Sequence, residues 1–333
     1  MSVAACLALY GFVVAVLAPW LLLQVGQSGA APRFAVAAWL SAIGSTVLAW
    51  VGAFAILLID LFTHQLSSVP QRFMDSCLMH LHDAAVGGYG WPIQWSLLLL
   101  STAAAIAAVV TAVRLAHALV RARRSTHAHA RLARMAGRHH PELDAVVLEV
   151  DEPAAYYVAG KPHTVVVSRG ALTALDDDHL DAVLAHERAH LTGRHHLILA
   201  LTRGLAGVAP RLRLFTTGAT EVARLLEMIA DDAAARIHGG PTVVAALVTF
   251  SDAANPDMDA ASADRGDTTA AFGTTPSALA SRLERLVAPP AVLHRTRARV
   301  TLAAALAAAT LIPLASILSI AVGLAICEPL PGD

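Results

Sequence analysis

The segment LAHERAHLTGRHH, residues 184–196, concentrates side chains able to do metal chemistry. His186, Glu187 and His190 spell H-E-x-x-H. On a helix, residues four apart share a face, so both imidazoles can offer a nitrogen to one zinc ion, with Glu187 beside them to take a proton from bound water. The same letters run on through Gly193 to His196 and also fit H-E-x-x-H-x-x-G-x-x-H. Two zinc sites are therefore open, one completed by His196 and one by a carboxylate from later in the chain.

The His196 option needs Gly193 to break the helix and a methionine turn beneath the metal. Met228 and Met258 are the downstream methionines, and neither sits in a tight-turn sequence. The carboxylate option lies in Glu227-Met228-Ile229-Ala230-Asp231. Glu227 falls in the apolar stretch LLEMIA, where burying an unpartnered carboxylate costs on the order of several kcal/mol and a metal would offset that cost. Asp231 is one helical turn on, placed to accept the second N–H of a ligating histidine. His195 and His196 read as capping residues, donors suited to the last carbonyls of the motif helix.

The elements that must position these groups are legible around them. DDDHLDAVLAHERAHL opens with aspartates suited to an N-cap and first turn and continues with Leu180, Val183, Leu184 and Leu191 at helical spacing. Upstream, AVVLEVDEP (145–153) and HTVVVSRGAL (163–172) read as strands joined by a turn in AYYVAGKP, giving a small antiparallel sheet. The strand around Val165 to Val167 is a candidate to receive extended peptide by edge addition. Residues 197–209 form a helix too short to span a bilayer, and 221–237 form the helix carrying Glu227. Residues 251–277 are small, polar and acidic, a loop; SALASRLERLVAPP then gives a short helix. Tyr157, Arg236 and His238 are candidates for oxyanion stabilisation or for purely structural roles.

Composition sets the wider frame. With 56% hydrophobic and only 15% charged residues among 333, and a mean hydropathy of +0.58, membrane spans are expected rather than an ordinary soluble domain. Apolar runs cover roughly 3–23, 34–58, 92–120 and 300–326, each long enough to cross a bilayer. The expected fold is a multi-pass α-helical membrane protein with three spans, then one. Residues 1–120 hold the three helices with an outer loop at 63–91, residues 121–299 an inserted, mainly helical α+β domain, and residues 300–333 the fourth helix and a short outer tail. Arg121, Arg123, Arg124, Arg131, Arg134 and Arg138 follow the third run, and Arg295, Arg297 and Arg299 precede the fourth. By the positive-inside rule the inserted domain is cytoplasmic and both termini lie outside; Arg33 alone supports the same side for the 24–33 turn. The basic residues after the third run either contact lipid headgroups or only set topology. The net charge of −1 says little about partners, since what matters is how the arginines are distributed; no direct nucleic-acid binding is expected. Cys77 and Cys327 either pair outside the membrane or remain thiols, and the oligomeric state is open.

Residues 155–190, AYYVAGKPHTVVVSRGALTALDDDHLDAVLAHERAH, resemble the approach to H-E-x-x-H in membrane-integrated gluzincin peptidases, a group that includes HtpX-like proteases and BlaR/MecR-type antirepressor peptidases. The later Glu227 to Asp231 block is similar to the one that supplies that group's third ligand. The resemblance implies zinc held by His186, His190 and Glu227, Glu187 as general base, and Asp231 behind a ligand. It implies an endopeptidase with a protein or peptide substrate. The 3+1 arrangement looks like the BlaR/MecR type, which implies regulatory cleavage of a cytoplasmic transcriptional repressor or of itself. Those receptors end in an extracellular penicillin-binding domain, and this chain stops at Asp333. HtpX-like quality control of membrane proteins is the rival within enzymes, and a non-catalytic zinc-containing receptor or scaffold is the rival outside them.

Overall fold

The computed structural model of the protein describes residues 3–26, 29–64, 91–158, 164–254 and 276–326. The 65–90 loop, Cys77, Cys327, the Gly160 to Pro162 turn, Met258 and most of the acidic 251–277 stretch lie outside the described residues. In chain order the elements are α1 (Val3–Gly26), α2 (Pro32–His64), α3 (Trp91–Ala136), β1 (Arg138–His140), β2 (Ala145–Leu148), β3 (Ala155–Val158) and β4 (Thr164–Ser168). There follow α4 (Arg169–Ala174), α5 (Asp177–Thr192), α6 (His195–Val208), α7 (Arg213–His238), α8 (Gly240–Ala254), α9 (Pro276–Val287) and α10 (Val292–Ile326).

Two helices, over Ala4–Gly26 and Pro32–Ile56, are long and apolar enough to cross a membrane. The third and fourth expected spans fall on the continuous helices α3 and α10. Leu9, Phe12, Val16, Leu17 and Trp20 of α1 are exposed, an outward apolar face that water would penalise and lipid would not.

The sheet corrects the sequence reading. Its order is β1-β2-β4-β3, with β1–β2 and β3–β4 antiparallel but β2–β4 parallel, so it is mixed rather than antiparallel. Ala155 to Val158, expected to be part of a turn, is strand β3, and it folds back to the outside of β4, which leaves β4 beside β2 and running the same way. Pairing on both sides removes β4, with Val165 to Val167, as an edge for peptide addition; β1 and β3 are the edges, and β3 is the one beside the motif helix.

Alternation along β4 explains how the sheet is held. Val166 faces Val146, Val158, Ala130 and Ala133, so the far end of α3 covers one face. Val165 and Val167 face Leu180, Val183, Leu184 and the α8 residues Val243, Ala246 and Leu247. The motif helix α5 is thereby clamped between sheet and α8 along its apolar stripe. Asp176 caps it, accepting from the His179 N–H at 2.8 Å, and Asp177 and Asp178 complement the dipole in its first turn.

Helix α7 belongs to a second core. Leu214, Phe215, Val222, Leu225 and Leu226 pack with Ala35, Trp39, Ala42 and Ile43 of α2 and with Ala298 and Leu302 of α10. The turn between α1 and α2 is tied to the same helix: Arg224 donates to the Gly26 carbonyl at 3.1 Å, and Arg285 of α9 donates to the Gly29 carbonyl at 2.9 Å while pairing with Asp232 at 2.7 Å. Gly29 has φ +56, and the Met228 sulfur lies 2.7 Å from where a Cβ would stand, so only glycine fits this contact. Gly26 and Gly29 thus lie against the domain that carries the motif.

Candidate metal centre

Helices α5 and α7 pack directly and bring three groups together: ligand atoms of His186, His190 and Glu227 lie within 4.8 Å of one another. The two histidine Nε2 atoms are 3.1 Å apart, and Glu227 stands 3.4 Å from His186 and 3.5 Å from His190. Glu187 and His186 are essentially inaccessible.

The outer nitrogens decide what the inner ones can do. His186 Nδ1 lies 3.1 Å from Asp231 Oδ1, and a carboxylate only accepts, so in the neutral ring the proton sits on Nδ1 and Nε2 presents a lone pair. His190 Nδ1 lies 2.8 Å from His195 Nδ1. Burial, then the neighbouring His190, push His195 down to about 4, so it is neutral at physiological pH and can accept the His190 proton. His190 is likewise lowered by burial, which leaves its Nε2 bare. Two imidazole lone pairs and a carboxylate facing one point repel unless a cation lies between them. That donor set of two nitrogens and one oxygen suits zinc.

The proton balance of the site without metal points the same way. Burial pulls His186 down, but its hydrogen bonds to the acceptors Asp231 and Glu227 outweigh that and raise it to about 9. Against its own burial, Glu227 is held well below the usual carboxylate range by the two histidines. The pocket thus recruits positive charge, which a proton on His186 supplies where a metal would otherwise sit. Glu187 is raised to about 7 by burial, with Glu227 adding to the effect, and accepts the Tyr157 N–H at 3.0 Å. A carboxylate poised there can both take and return a proton near neutrality.

Of the remaining expected residues, Tyr157 reaches the site and stacks on the His190 ring at 5.3 Å. Burial, followed by the charges of Glu187 and Glu227, raises its hydroxyl above the ordinary range, so it stays a donor. Arg236 and His238 line a groove beside α7 that excludes the three clustered groups. His196 is not part of the cluster; its ring tilts against Tyr157 at 6.2 Å.

Two residues carry more than the sequence reading assigned them. His195, expected to cap the end of α5, instead opens α6 and turns back to His190. Gly193 ends α5, Arg194 takes a left-handed φ of 50, and a Cβ on Gly193 would collide with the His195 ring. Nothing local in the sequence signals that reversal. His195→Ala should weaken zinc binding by roughly 10- to 100-fold, as measured by chelator competition. Arg282, the other, is buried in α9 and forks onto Asp231 at 2.8 and 2.6 Å, with Glu227 3.5 Å from its second amino group. Its signal was visible: an arginine on the stripe of Leu279, Leu283 and Leu286 demands a buried acid. Arg282→Met leaves Asp231 charged and buried beside His186. A loss of about 3–5 kcal/mol of stability is expected in thermal or denaturant unfolding.

Comparison with known proteins bears on the segment that carries the motif. Residues 120–210 match the sequence profile of Peptidase family M48. The chain is 34% identical over 96 residues to a "Protease HtpX homolog" of Acidiphilium cryptum (strain JF-5), covering 27% of this chain and 33% of the relative. It is 32% identical over 87 residues to a "Protease HtpX homolog" of Gemmatimonas aurantiaca, covering 26% of this chain and 30% of the relative. The chain therefore spans about a third of the length of these curated relatives, and no solved structure matches it. The segment from the end of α3 through α6 is thus similar to a metallopeptidase family, while Glu227, Asp231 and Arg282 come from beyond the matched residues.

Proposed function

We propose that the protein is a membrane-bound zinc endopeptidase, with His186, His190 and Glu227 as ligands, Glu187 as general base and Asp231 orienting His186. The observation that carries this reading is the convergence of the two Nε2 atoms and Glu227 beside a buried Glu187. When bound, zinc supplies Lewis acidity, lowering the pKa of its water and polarising the scissile carbonyl. Glu187 takes the proton of the attacking water and returns it to the leaving amine. Asp231, held by Arg282, fixes the tautomer of His186, and His195 does the same for His190. An extended peptide is expected along the free edge of β3, where the Tyr157 N–H already points at Glu187.

Within this reading the substrate is a cytoplasmic repressor or the chain itself, cut in response to a signal. The similarity to HtpX homologs favours a second assignment, turnover of membrane proteins. The catalytic domain is taken to face the cytoplasm, with both termini outside. Mapping of new protein N-termini in cells with wild-type or Glu187→Gln protein tests these readings together. A cleaved repressor or self-cleavage supports regulation, and many cut membrane proteins support turnover. Identical maps would replace both with a non-catalytic zinc-containing receptor or scaffold.

A further inference from the structure

A groove of about 750 Å³ lies between α5, α6, α7 and the first turn of α2. It is lined by Ala185, Ala189 and Thr192 of α5, about 100° around the helix from His186 and His190, so it is distinct from the metal centre. The floor is apolar, built from Val36, Ile198, Leu226, Ile229 and Ile237. Its rim is basic: Arg33 of α2, Arg188 of α5 and Arg236 of α7 stand against one carboxylate, Asp181. Arg188 donates to the Leu143 carbonyl at 2.8 Å. Arg33 and Arg236 are exposed.

Position along the helices matters as much as charge. Arg33 is the second residue of α2, and α1 ends at Gly26, so the groove opens where both apolar helices finish. Trp20, Leu21 and Phe34 near that end are exposed, as are Leu197 and Leu201 on α6. In a bilayer crossed by α1 and α2, this level is where headgroups meet acyl chains and where aromatic residues gather.

We propose that this groove holds an anionic phospholipid, its phosphate between Arg33 and Arg236 and the start of an acyl chain on Ile229 and Ile237. Guanidinium forks match phosphate oxygens, and a basic rim over an apolar floor suits a group with both characters. A zwitterionic lipid would bring its own cation to a rim that is already positive. An acidic peptide would leave backbone groups unpaired, because the groove is walled by helices and offers no strand edge. His195 lines the groove and bonds His190, which puts the lipid one side chain from the metal cluster. The proposal rests on α1 and α2 being membrane spans but not on peptidase activity.

The test uses the full chain in phosphatidylcholine nanodiscs containing a minor fraction of spin-labelled phosphatidylglycerol or spin-labelled phosphatidylcholine. Expected is a motionally restricted phosphatidylglycerol population in excess over phosphatidylcholine. Arg33→Gln with Arg236→Gln should weaken that preference by roughly tenfold to thirtyfold, given the usual attraction of an arginine at an anionic surface. Ala233 also lines the groove, and Ala233→Trp, which keeps both arginines but fills the floor, should lose the restricted population with the melting temperature unchanged. Equal restriction of the two lipids, or a preference that survives both groove variants, overturns the proposal. So does displacement of the labelled lipid by inorganic phosphate or by an acidic peptide. Zinc content of the same samples reports separately on the metal centre.

Discussion

Glu187→Gln is expected to retain zinc and lose peptide hydrolysis by about 10²- to 10⁴-fold, the usual contribution of a positioned general acid and base. The side chain keeps its shape, and its amide can still face the Tyr157 strand. It can no longer take a proton. Glu187 is buried and contacts the β3 backbone rather than the clustered nitrogens, so its removal acts on kcat and leaves the ligands in place. Zinc content by atomic emission, beside single-turnover cleavage of a peptide substrate, separates the two effects. Loss of zinc together with activity would make Glu187 part of the metal's own support, and unchanged hydrolysis would remove it as the base.

Glu227→Ala set beside His196→Ala is the second large effect. Among the described residues Glu227 supplies the carboxylate that faces both Nε2 atoms, and without it two imidazoles remain, too few for a catalytic zinc site. Zinc loss by at least roughly 100-fold in affinity is expected for Glu227→Ala, with His196→Ala near wild type. The removal also takes one acidic neighbour from Arg282, which keeps its pair with Asp231, so some loss of stability should accompany it. Zinc retained by Glu227→Ala and lost by His196→Ala would restore the longer motif and overturn the ligand set proposed here.

Much of the site was legible because its parts are local. The aspartate-capped helix, the spacing of His186 and His190 and the stop at Gly193 all follow from residues within one helix of each other. Glu227 and Asp231 could be singled out because a carboxylate in LLEMIA needs a partner wherever the helix goes. The sheet is less legible. Tyr156 and Tyr157 lie between a β-branched run and a glycine–proline turn, and the turn signal beside them hides residue types that favour a strand. Pairing partners of β4 are non-local, so which strand forms the edge depended on how β3 folds back. Ala130 and Ala133 carried no apolar periodicity strong enough to announce that α3 would cover the sheet.

The sequence by itself determined which atoms are available: two imidazoles four residues apart, a base between them, an acid needing a partner on a later helix, and apolar runs of membrane length. Only the tertiary structure decided which of them meet. His196 fits the longer motif by spacing, but backbone reversal at Arg194 brings His195 onto His190 and leaves His196 with Tyr157. Arg282 lies 51 residues beyond Asp231 and is joined to it by packing of α9 against α7, not by any local rule. The physical reason is that ligand spacing is set by helix geometry within one element, whereas the groups that orient those ligands are chosen by contacts between elements, on which local spacing is silent.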